Sequence, residues 1–436
     1  MTYRPTLAIH TLGCKLNQAE SEKLAQKLSL AGYVLTLGRS AEVHVLNTCT
    51  VTHVADSKSR HMVRMLRRRN PQSYIVVTGC YAENAEQDLI DCGADSVIAN
   101  RDKMSLPDMI AAEIKGSLGG GQGCDNTPAT GKVRSFIKIQ DGCTNFCAYC
   151  IVPYVRSKVF SVDVDKVIAE IREKVAAGYA EIVLTGTEIG AYSMNSLKLS
   201  GLVQRILSET DIHRLHLSSL QPQGINTQLL NLWKDGRLSR HFHLALQSGS
   251  DSVLQRMRRC YNTAKFKRTM DRILDIIPDA SVTTDVMVGF PGESDAEFLE
   301  SYNFCKNARF AGMHVFVYSV RPGTLAAQMP DKVGEKLKKE RSLKMLQLAA
   351  HSADKFAERF VGEARKILWE NEIRRGSGIY TGFTDNYVRT YAKSDEDLTN
   401  KIIKTRLLSR ARDLKELSLR TSTRGNHGEL WGEVLG

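Results

Sequence analysis

The sequence contains no long run of apolar residues. No stretch is long enough to cross a bilayer as a helix, which excludes a protein built from membrane-spanning helices. The first ten residues lack the apolar core of a secretory signal peptide and lead directly into a strand-like pattern. Apolar residues make up 42% of the chain and charged residues 25%, which are ordinary globular values. We therefore expect a cytoplasmic protein without a membrane partner.

Acidic residues are fewer than basic residues. The chain of 436 residues has 60 Lys+Arg against 48 Asp+Glu, which gives a formal net charge of +12. This imbalance predicts a polyanionic partner, although charge alone does not separate nucleic acid from a ribosome or a membrane surface. Because the length exceeds that of one ordinary hydrophobic core, we expect two or three domains.

A fourth cysteine is missing from the most distinctive motif. Cys143, Cys147 and Cys150 have the spacing C-x3-C-x2-C, directly after the strand-like run 136–140. Three thiolates on one loop can hold three irons of a four-iron cluster, which leaves the fourth iron open for chemistry. A zinc site would need four Cys or His ligands, and none nearby completes the set. The alternative is that the three cysteines are small core residues.

Three further cysteines lie far apart in sequence but in equivalent positions. Cys14, Cys49 and Cys80 each follow a short β-branched run that predicts a strand. Because the strands of an open parallel sheet all end at one edge, these cysteines are expected to converge there as a second three-thiolate site. The alternative is three buried structural thiols. The remaining cysteines have no such context and are expected to be structural or incidental: Cys92, Cys124, Cys260 and Cys305.

The alternation of strands and helices predicts a multidomain α/β protein. Residues 1–115 have the pattern of an open parallel α/β sheet, and residues 132–330 have six β/α repeats, which predict a partial barrel. The glycine-rich residues 116–131 predict a linker. Residues 331–360 predict a connecting helix, and the short strands and turns of residues 361–436 predict a small antiparallel β-barrel.

Two segments are candidates for contacts with a nucleic-acid backbone or base. The first is a predicted helix near residues 56–69 that carries basic side chains without acids among them, namely Lys58, Arg60, Arg64, Arg67, Arg68 and Arg69. The second is Tyr387, Arg389 and Tyr391, which are expected to alternate onto one side of a strand. The alternatives are a solvated helix face for the first segment and a packing face against the preceding domain for the second.

The whole chain resembles the radical S-adenosylmethionine methylthiotransferases. The likeness rests on residues 11–21, 47–51, 79–82, 140–154, 217–222, 243–251 and 285–293, among them the motifs GCKLNQAES, DGCTNFCAYCIVPY, HLALQSGSD and DVMVGFPGE. The GCKLNQ opening is similar to the branch that modifies threonylcarbamoyladenosine next to the tRNA anticodon. That branch usually has an arginine-rich stretch after the cluster loop, where this chain has Arg156 and Lys158 but also Phe160 and Val162.

The resemblance implies a radical reaction that uses two four-iron clusters and S-adenosylmethionine. A cluster on Cys143, Cys147 and Cys150 would supply an electron that cleaves the cofactor to methionine and a 5′-deoxyadenosyl radical. The radical would take hydrogen from C2 of the adenine. Sulfur and a methyl group would arrive through the second cluster, on Cys14, Cys49 and Cys80, with a second S-adenosylmethionine consumed as the methyl donor. The expected partners are the tRNA anticodon stem-loop, an electron donor such as flavodoxin or ferredoxin, and a sulfur donor.

Four residues that follow predicted barrel strands are candidates for contacts with the cofactor. Gly186, Glu188, Ser218 and Gln247 could hydrogen-bond an amino acid or a ribose, although each could equally stabilise its own loop. The C-terminal barrel resembles a TRAM domain that binds RNA. We therefore expect removal of residues 365–436 to weaken tRNA binding and to leave basal cofactor cleavage intact.

Other functions remain open from the sequence. Within the family, the substrate could instead be isopentenyladenosine in tRNA or an aspartate of a ribosomal protein. In a different class, the chain would be a nucleic-acid-binding protein whose clusters are structural. The missing fourth ligand at both cysteine sets speaks against that class, because a structural cluster gains nothing from an open iron.

Overall fold

The computed structural model describes residues 4–36, 40–114, 133–411 and 427–435. The predicted linker 116–131 and Cys124 lie outside the described residues. The chain forms two compact units, each assembled from separated segments. Unit 1 contains Met1–Thr130, Asp141–Phe160 and Ser319–Ala327, and unit 2 contains Gly131–Gln140, Ser161–Tyr318 and Gln328–Gly436. The division of the sequence into five segments is untested by this grouping and stays a prediction.

Unit 1 is built on a parallel sheet. Its elements are β1 Thr6–Thr11, α1 Lys15–Leu30, β2 Val34–Leu35, β3 Val43–Thr48, α2 His53–Arg69, β4 Tyr74–Gly79, α3 Glu86–Asp91, β5 Ser96–Val97, a 3-10 helix Asn100–Ser105, α4 Leu106–Ile114 and the short α5 Val152–Val155. The five strands have the order β2-β1-β3-β4-β5, and all neighbouring pairs are parallel, as predicted. The two-residue strand β2 was missing from the sequence prediction.

Apolar residues cover both faces of this sheet. On one face, Leu7, Val43 and Val76 pack into a core with α1 and α4. On the other, Leu46 and Ile75 join a core with α2 and α3. Burial on both sides explains why the strands are nearly continuous apolar runs, which is typical of parallel sheets.

Unit 1 is completed by two segments from later in the chain. Arg321, in the segment Ser319–Ala327, is buried and forms an ion pair with Asp56 on α2 at 2.7 Å. Its guanidinium also donates to the hydroxyl of Thr50, at 2.8 Å, next to Cys49. Arg156, in the segment Asp141–Phe160, is likewise buried among residues of α1 and the sheet. These cations compensate carboxylates of the N-terminal segment.

Unit 2 contains the predicted partial barrel. Its strands are β6 Arg134–Asp141, β7 Phe160–Ser161, β8 Glu181–Gly186, β9 Ser193–Met194, β10 Leu197–Lys198, β11 Arg214–Leu217, β12 His241–His243, β13 Ser281–Val288 and β14 Gly312–Val317. The parallel strands β6, β8 and β11 form one sheet, with β7 at its edge, and β12, β13 and β14 form another. Parallel bridges Leu215↔Leu238 and Leu220↔Leu244 join the two sheets, so that the six strands β6, β8, β11, β12, β13 and β14 form one row with β7 as a seventh strand at its edge.

Each barrel strand has an apolar and a polar side. Ile137, Ile182 and Val282 belong to the large core that packs under the helices, whereas His243 and Asp285 lie on the opposite side, which faces the barrel lumen. The helices are α6 Val164–Ala176, α7 Leu199–Glu209, α8 Thr227–Leu230, α9 Asp251–Arg256, α10 Thr263–Ile276, α11 Asp295–Asn307, α12 Leu325–Gln328 and α13 Glu335–Glu358, with 3-10 turns Ile189–Ala191, Pro222–Gly224 and Asn231–Lys234. Within the described ranges, no helix is long and apolar enough to span a membrane.

The C-terminal segment forms a closed five-stranded barrel, as predicted. Its strands are β15 Ala364–Glu372, β16 Ile379–Thr384, β17 Arg389–Lys393, β18 Ile402–Arg410 and β19 Leu430–Val434. The strand order is β15-β16-β17-β19-β18, and all neighbouring pairs are antiparallel except β17 and β19. The barrel belongs to unit 2. The guanidinium of buried Arg214, on β11, donates to the carbonyl groups of Lys366, Phe383 and Thr384.

Candidate functional site

The three N-terminal cysteines converge at the carboxyl edge of the unit 1 sheet. Cys14 follows β1, Cys49 follows β3 and Cys80 follows β4, and these three strands are neighbours. The cysteines are close enough to interact electrostatically. Burial raises the pKa of the Cys49 thiol to about 11, a backbone hydrogen bond with Val51 opposes this rise, and Cys80 and Cys14 add to it. The predicted convergence is therefore present in the structure.

Glycines allow the strand ends to approach one another. Gly13 and Gly79 directly precede Cys14 and Cys80, and both have positive φ angles, of 101° and 98°. A Cβ atom on Gly79 would lie 2.4 Å from the backbone nitrogen of Thr48, and one on Gly13 would lie 2.6 Å from the Cβ atom of Cys49. The Gly-Cys pairs thus place the thiols where a side chain on the preceding residue would prevent the approach.

The second cysteine set lies on a tight loop of the same unit. The backbone N–H of Cys150 donates to the carbonyl of Cys147 at 2.9 Å, and the N–H of Asn145 approaches the sulfur of Cys143 at 3.5 Å. Phe146, at the tip, has a φ angle of 42° and is exposed. Cys147 is buried, whereas Cys143 and Cys150 are half-buried. One side of the loop is therefore accessible.

Each thiol set offers the donor chemistry of a multi-iron cluster. In the described part of the chain, one group of three His, Cys, Asp or Glu donors lies within 4.8 Å, and it contains no cysteine. Three thiols per set is the donor chemistry that holds three irons of a four-iron cluster and leaves the fourth open.

The compact donor group lies in the barrel lumen and was absent from the sequence prediction. It consists of His243, Asp285 and His314, from the neighbouring strands β12, β13 and β14. The carboxylate oxygens of Asp285 lie 3.2 Å from Nε2 of His243 and 3.3 Å from Nδ1 of His314, and Nδ1 of His243 lies 3.0 Å from the hydroxyl of Thr283. Burial opposes ionisation of Asp285, but the two histidines outweigh it and hold its pKa below the usual range. Two imidazoles and a carboxylate could hold a divalent cation.

The four candidate cofactor residues all lie at the carboxyl ends of barrel strands. Gly186 ends β8, where a Cβ atom would lie 2.6 Å from the carbonyl oxygen of Gln140, so glycine is required there. The N–H of Glu188 donates to the side-chain oxygen of Gln140 at 2.7 Å. Ser218 follows β11, and Gln247 has a φ angle of 72° and pairs through its backbone with β13. Their positions agree with the prediction, whereas their contacts with a cofactor remain a proposal.

The basic helix α2 divides into exposed and internally bound side chains. Lys58 and Arg64 are exposed. Arg67 instead donates to the carbonyl groups of Pro71, Ser73 and Gly93 and to the carboxylate of Asp95. Arg60 donates to the hydroxyl of Tyr81. A cavity of about 500 Å³ opens beside the helix, lined by His61, Arg64, Arg67, Arg68 and Cys92. Only part of the predicted basic surface is therefore available to a polyanion.

Tyr387 corrects the predicted aromatic face of the C-terminal barrel. It precedes β17 and lies in a turn, with a φ angle of 63°. Its hydroxyl donates to the carboxylate of Glu181 on β8, and its ring stacks on His241 of β12 at 4.8 Å between centroids. Burial raises the pKa of Tyr387 well above its ordinary value. The side chain packs against the partial barrel, which was the alternative interpretation of this segment.

The other two residues of that predicted face also differ in exposure. The Tyr391 side chain is buried, and its hydroxyl donates to the carboxylate of Glu429 at 3.0 Å. Arg389 is half-buried, and its guanidinium lies 4.4 Å from the centre of the Phe383 ring. The expectation that the three residues alternate onto one side of a strand is therefore wrong for Tyr387, because the strand begins only at Arg389.

Comparisons with known proteins agree with this geometry. Residues 6–99 match the model of the uncharacterized protein family UPF0004, and residues 137–305 match the radical SAM superfamily. The first range contains Cys14, Cys49 and Cys80, and the second contains Cys143, Cys147 and Cys150. Each model thus covers one of the two thiol sets.

Curated relatives match almost the full length. The threonylcarbamoyladenosine tRNA methylthiotransferase MtaB of Bacillus subtilis is 36% identical over 92% of this chain and 94% of its own length. The protein of the same name from Thermotoga maritima is 35% identical over 88% of this chain and 90% of its own. A tRNA-2-methylthio-N(6)-dimethylallyladenosine synthase of Pelotomaculum thermopropionicum is 32% identical over 91% and 93%.

A solved structure shares the fold at low sequence identity. The radical S-adenosylmethionine methyltransferase TsrM of Kitasatospora setae, solved with cobalamin and a [4Fe-4S] cluster bound, has a TM-score of 0.54 and 14% identity. The match covers 88% of this chain and 82% of that one. This similarity supports the α/β architecture and carries no information on the substrate.

Proposed function

Because this chain belongs to the methylthiotransferase family of radical S-adenosylmethionine enzymes, we propose that it attaches a methylthio group to C2 of N6-threonylcarbamoyladenosine beside the tRNA anticodon. The observation that carries the proposal is the pair of three-thiol sets in unit 1. Two sets are what sulfur insertion by a radical route needs, one to begin the radical reaction and one to deliver sulfur. The choice of nucleoside is supported by the 36% identical relative.

The thiol sets and the barrel strand ends have distinct roles in this proposal. Clusters held by the two sets would supply the electron for cleavage of S-adenosylmethionine and the site from which sulfur is delivered. Gly186 lets the end of β8 pack against the carbonyl of Gln140, and at the strand ends Glu188, Ser218 and Gln247 would offer polar groups to the amino acid and ribose of the cofactor. A second S-adenosylmethionine would supply the methyl group, and an electron donor such as flavodoxin or ferredoxin and a sulfur donor would complete the reaction.

Nucleoside analysis of tRNA from a strain that lacks the gene tests the substrate. We expect loss of the 2-methylthio group from threonylcarbamoyladenosine, while methylthio-isopentenyladenosine is unchanged. The reverse pattern would assign the chain to the isopentenyladenosine branch, to which the Pelotomaculum relative belongs by name. No change in either nucleoside would move the proposal to a ribosomal-protein substrate. Restoring the modification with the intact gene is the control.

The exposed basic side chains of α2 are expected to contact the phosphates of the tRNA. Replacing Lys58 and Arg64 together by alanine should weaken tRNA binding and reduce the slope of log affinity against log salt by about 1 for each phosphate that is no longer neutralised. Arg67→Ala is the matched control on the same helix. Because its guanidinium is bound to carbonyl groups and to Asp95, this variant should lower the stability of unit 1 and leave the salt slope unchanged. If Arg67→Ala reduced the slope of log affinity against log salt and the Lys58 and Arg64 double variant did not, this assignment would be contradicted.

A further inference from the structure

Arg156 is a buried cation that follows the loop of Cys143, Cys147 and Cys150 in sequence and contacts Cys80 of the other cysteine set. It lies six residues after Cys150, at the end of α5, and its side chain is only 3% exposed. Ile151 and Val155, from the same short segment, pack against Cys80 of the other set. The chain that leaves the first cysteine loop therefore runs directly over the second cysteine set.

The guanidinium of Arg156 uses its donors in a fixed way. Nη1 donates to a carboxylate oxygen of Glu20 at 2.9 Å and to Asp141 at 3.0 Å, and Nη2 donates to the other Glu20 oxygen at 2.9 Å and to Asn17 at 2.9 Å. Nε points to the sulfur of Cys80 at 3.3 Å. Because the planar fork is held by three side chains, the Nε–H bond has one direction, toward that sulfur.

The charges around Arg156 are balanced without Cys80. Arg156 and Lys103 supply two cations and Glu20 and Asp141 two anions, all of them buried. Nζ of Lys103 lies 2.6 Å from Glu20. When Cys80 binds iron as a thiolate, it adds a negative charge at a site where one donor is already aimed at it. Burial raises the pKa of the free Cys80 thiol, and the charge of Arg156 opposes that rise.

We propose that Arg156 is a positioning residue for the second cluster, whose Nε–H donates a hydrogen bond to the Cys80 thiolate and raises the reduction potential of the cluster on Cys14, Cys49 and Cys80. A hydrogen bond and a positive charge at a ligand sulfur withdraw electron density from the cluster and favour its reduced form. The inference rests on the proposed function because it requires that cluster. Because its guanidinium is already bound inside unit 1, Arg156 does not contact RNA in this proposal.

The test uses a chain that can hold only the second cluster. In the full-length protein with Cys143, Cys147 and Cys150 replaced by alanine, the reduction potential is measured by EPR-monitored redox titration for Arg156, Arg156→Gln and Arg156→Lys. We expect Arg156→Gln to weaken electron uptake about tenfold, a shift of about 59 mV to lower potential for a one-electron couple. Arg156→Lys keeps the charge and loses the directed Nε–H, so it should give an intermediate shift. An exchangeable proton coupled to the reduced cluster should disappear from the ENDOR spectrum in both variants.

Lys103→Gln is the matched control within the same buried network. It removes one of the two cations that bind Glu20 but has no hydrogen bond to Cys80. Its shift should be smaller than that of Arg156→Gln, and the exchangeable proton should remain. An equal shift in Lys103→Gln, or an unchanged potential and ENDOR spectrum in Arg156→Lys, would overturn the inference while leaving the proposed function in place. If the protein with Cys143, Cys147 and Cys150 replaced by alanine and with Arg156 retained bound no iron, the two-cluster function itself would be contradicted.

Discussion

Replacing Cys143, Cys147 and Cys150 together by alanine should remove about half of the iron and abolish formation of 5′-deoxyadenosine from S-adenosylmethionine. Alanine has no sulfur to ligate iron, so the cluster with the accessible loop is lost while the second set is intact. Iron content per chain and deoxyadenosine yield after anaerobic reconstitution and reduction are the measurements. Equal iron in this variant and the parent would contradict the assignment of this loop.

The complementary variant separates the two sets. Replacing Cys14, Cys49 and Cys80 should also remove about half of the iron but retain deoxyadenosine formation, because the radical-forming loop is unchanged. Methylthio transfer should be lost. Cys260→Ala is the control, since Cys260 is exposed in unit 2 and belongs to neither set. It should keep full iron content and both activities.

Removal of residues 365–436 should unfold unit 2, contrary to the expectation that cofactor cleavage survives it. The deletion exposes buried Arg214, which loses the carbonyl groups of Lys366, Phe383 and Thr384. Glu181 loses the Tyr387 hydroxyl, and Asp279 loses Arg365. Asp279 keeps Arg240 and Glu181 keeps Arg134. Phe356 and Phe360 of α13, however, lose the core that they share with the C-terminal barrel. Exposing a large apolar side chain costs about 1.5–3 kcal/mol, so this loss and the lost hydrogen bonds together reach the range of a domain's total stability, about 5–15 kcal/mol.

The predicted unfolding is checked by measuring thermal unfolding and the yield of 5′-deoxyadenosine for the chain that lacks residues 365–436. We expect insoluble protein or loss of the unfolding transition of unit 2, with cofactor cleavage lost in parallel. Lys404→Ala, on the exposed side of β18, changes the charge of the C-terminal barrel without touching these buried groups and should leave both measurements unchanged. A truncated chain that remains folded and cleaves the cofactor would show that the C-terminal barrel is an independent attachment.

Backbone periodicity made the architecture predictable from sequence. Strands β3 and β4 are buried along almost their whole length, and β1, β3 and β4 are each rich in apolar and β-branched residues and end near a cysteine motif. The carboxyl-edge rule then placed Cys14, Cys49 and Cys80 together. Strand β2 was missed because two residues, Val34 and Leu35, are too few to show any period.

Side-chain partners were the part that the sequence concealed. Arg156 follows a cluster loop, and arginine is a residue type that often binds phosphate. Its acidic partner Glu20 lies far away in the sequence, so the ion pair could not be predicted. Tyr387 was assigned to a strand by alternation, whereas its positive φ angle ends that pattern before β17 begins. Local patterns cannot report which distant carboxylate will compensate a cation. The lumen group of His243, Asp285 and His314 escaped notice for the same reason, because each strand contributes a single member.

The assembly of unit 1 from three separated segments has a consequence for the order of events during synthesis. The sheet that presents Cys14, Cys49 and Cys80 leaves the ribosome first, but Arg156 and Arg321, which bind Glu20 and Asp56, come later. At a synthesis rate of about 5–20 residues per second, Arg321 follows Cys80 by roughly 10–50 s. During that interval Asp56 lacks its cation. The ion pair between Asp56 and Arg321 therefore forms only after about three quarters of the chain has been made, so the fold of unit 1 is completed late in synthesis.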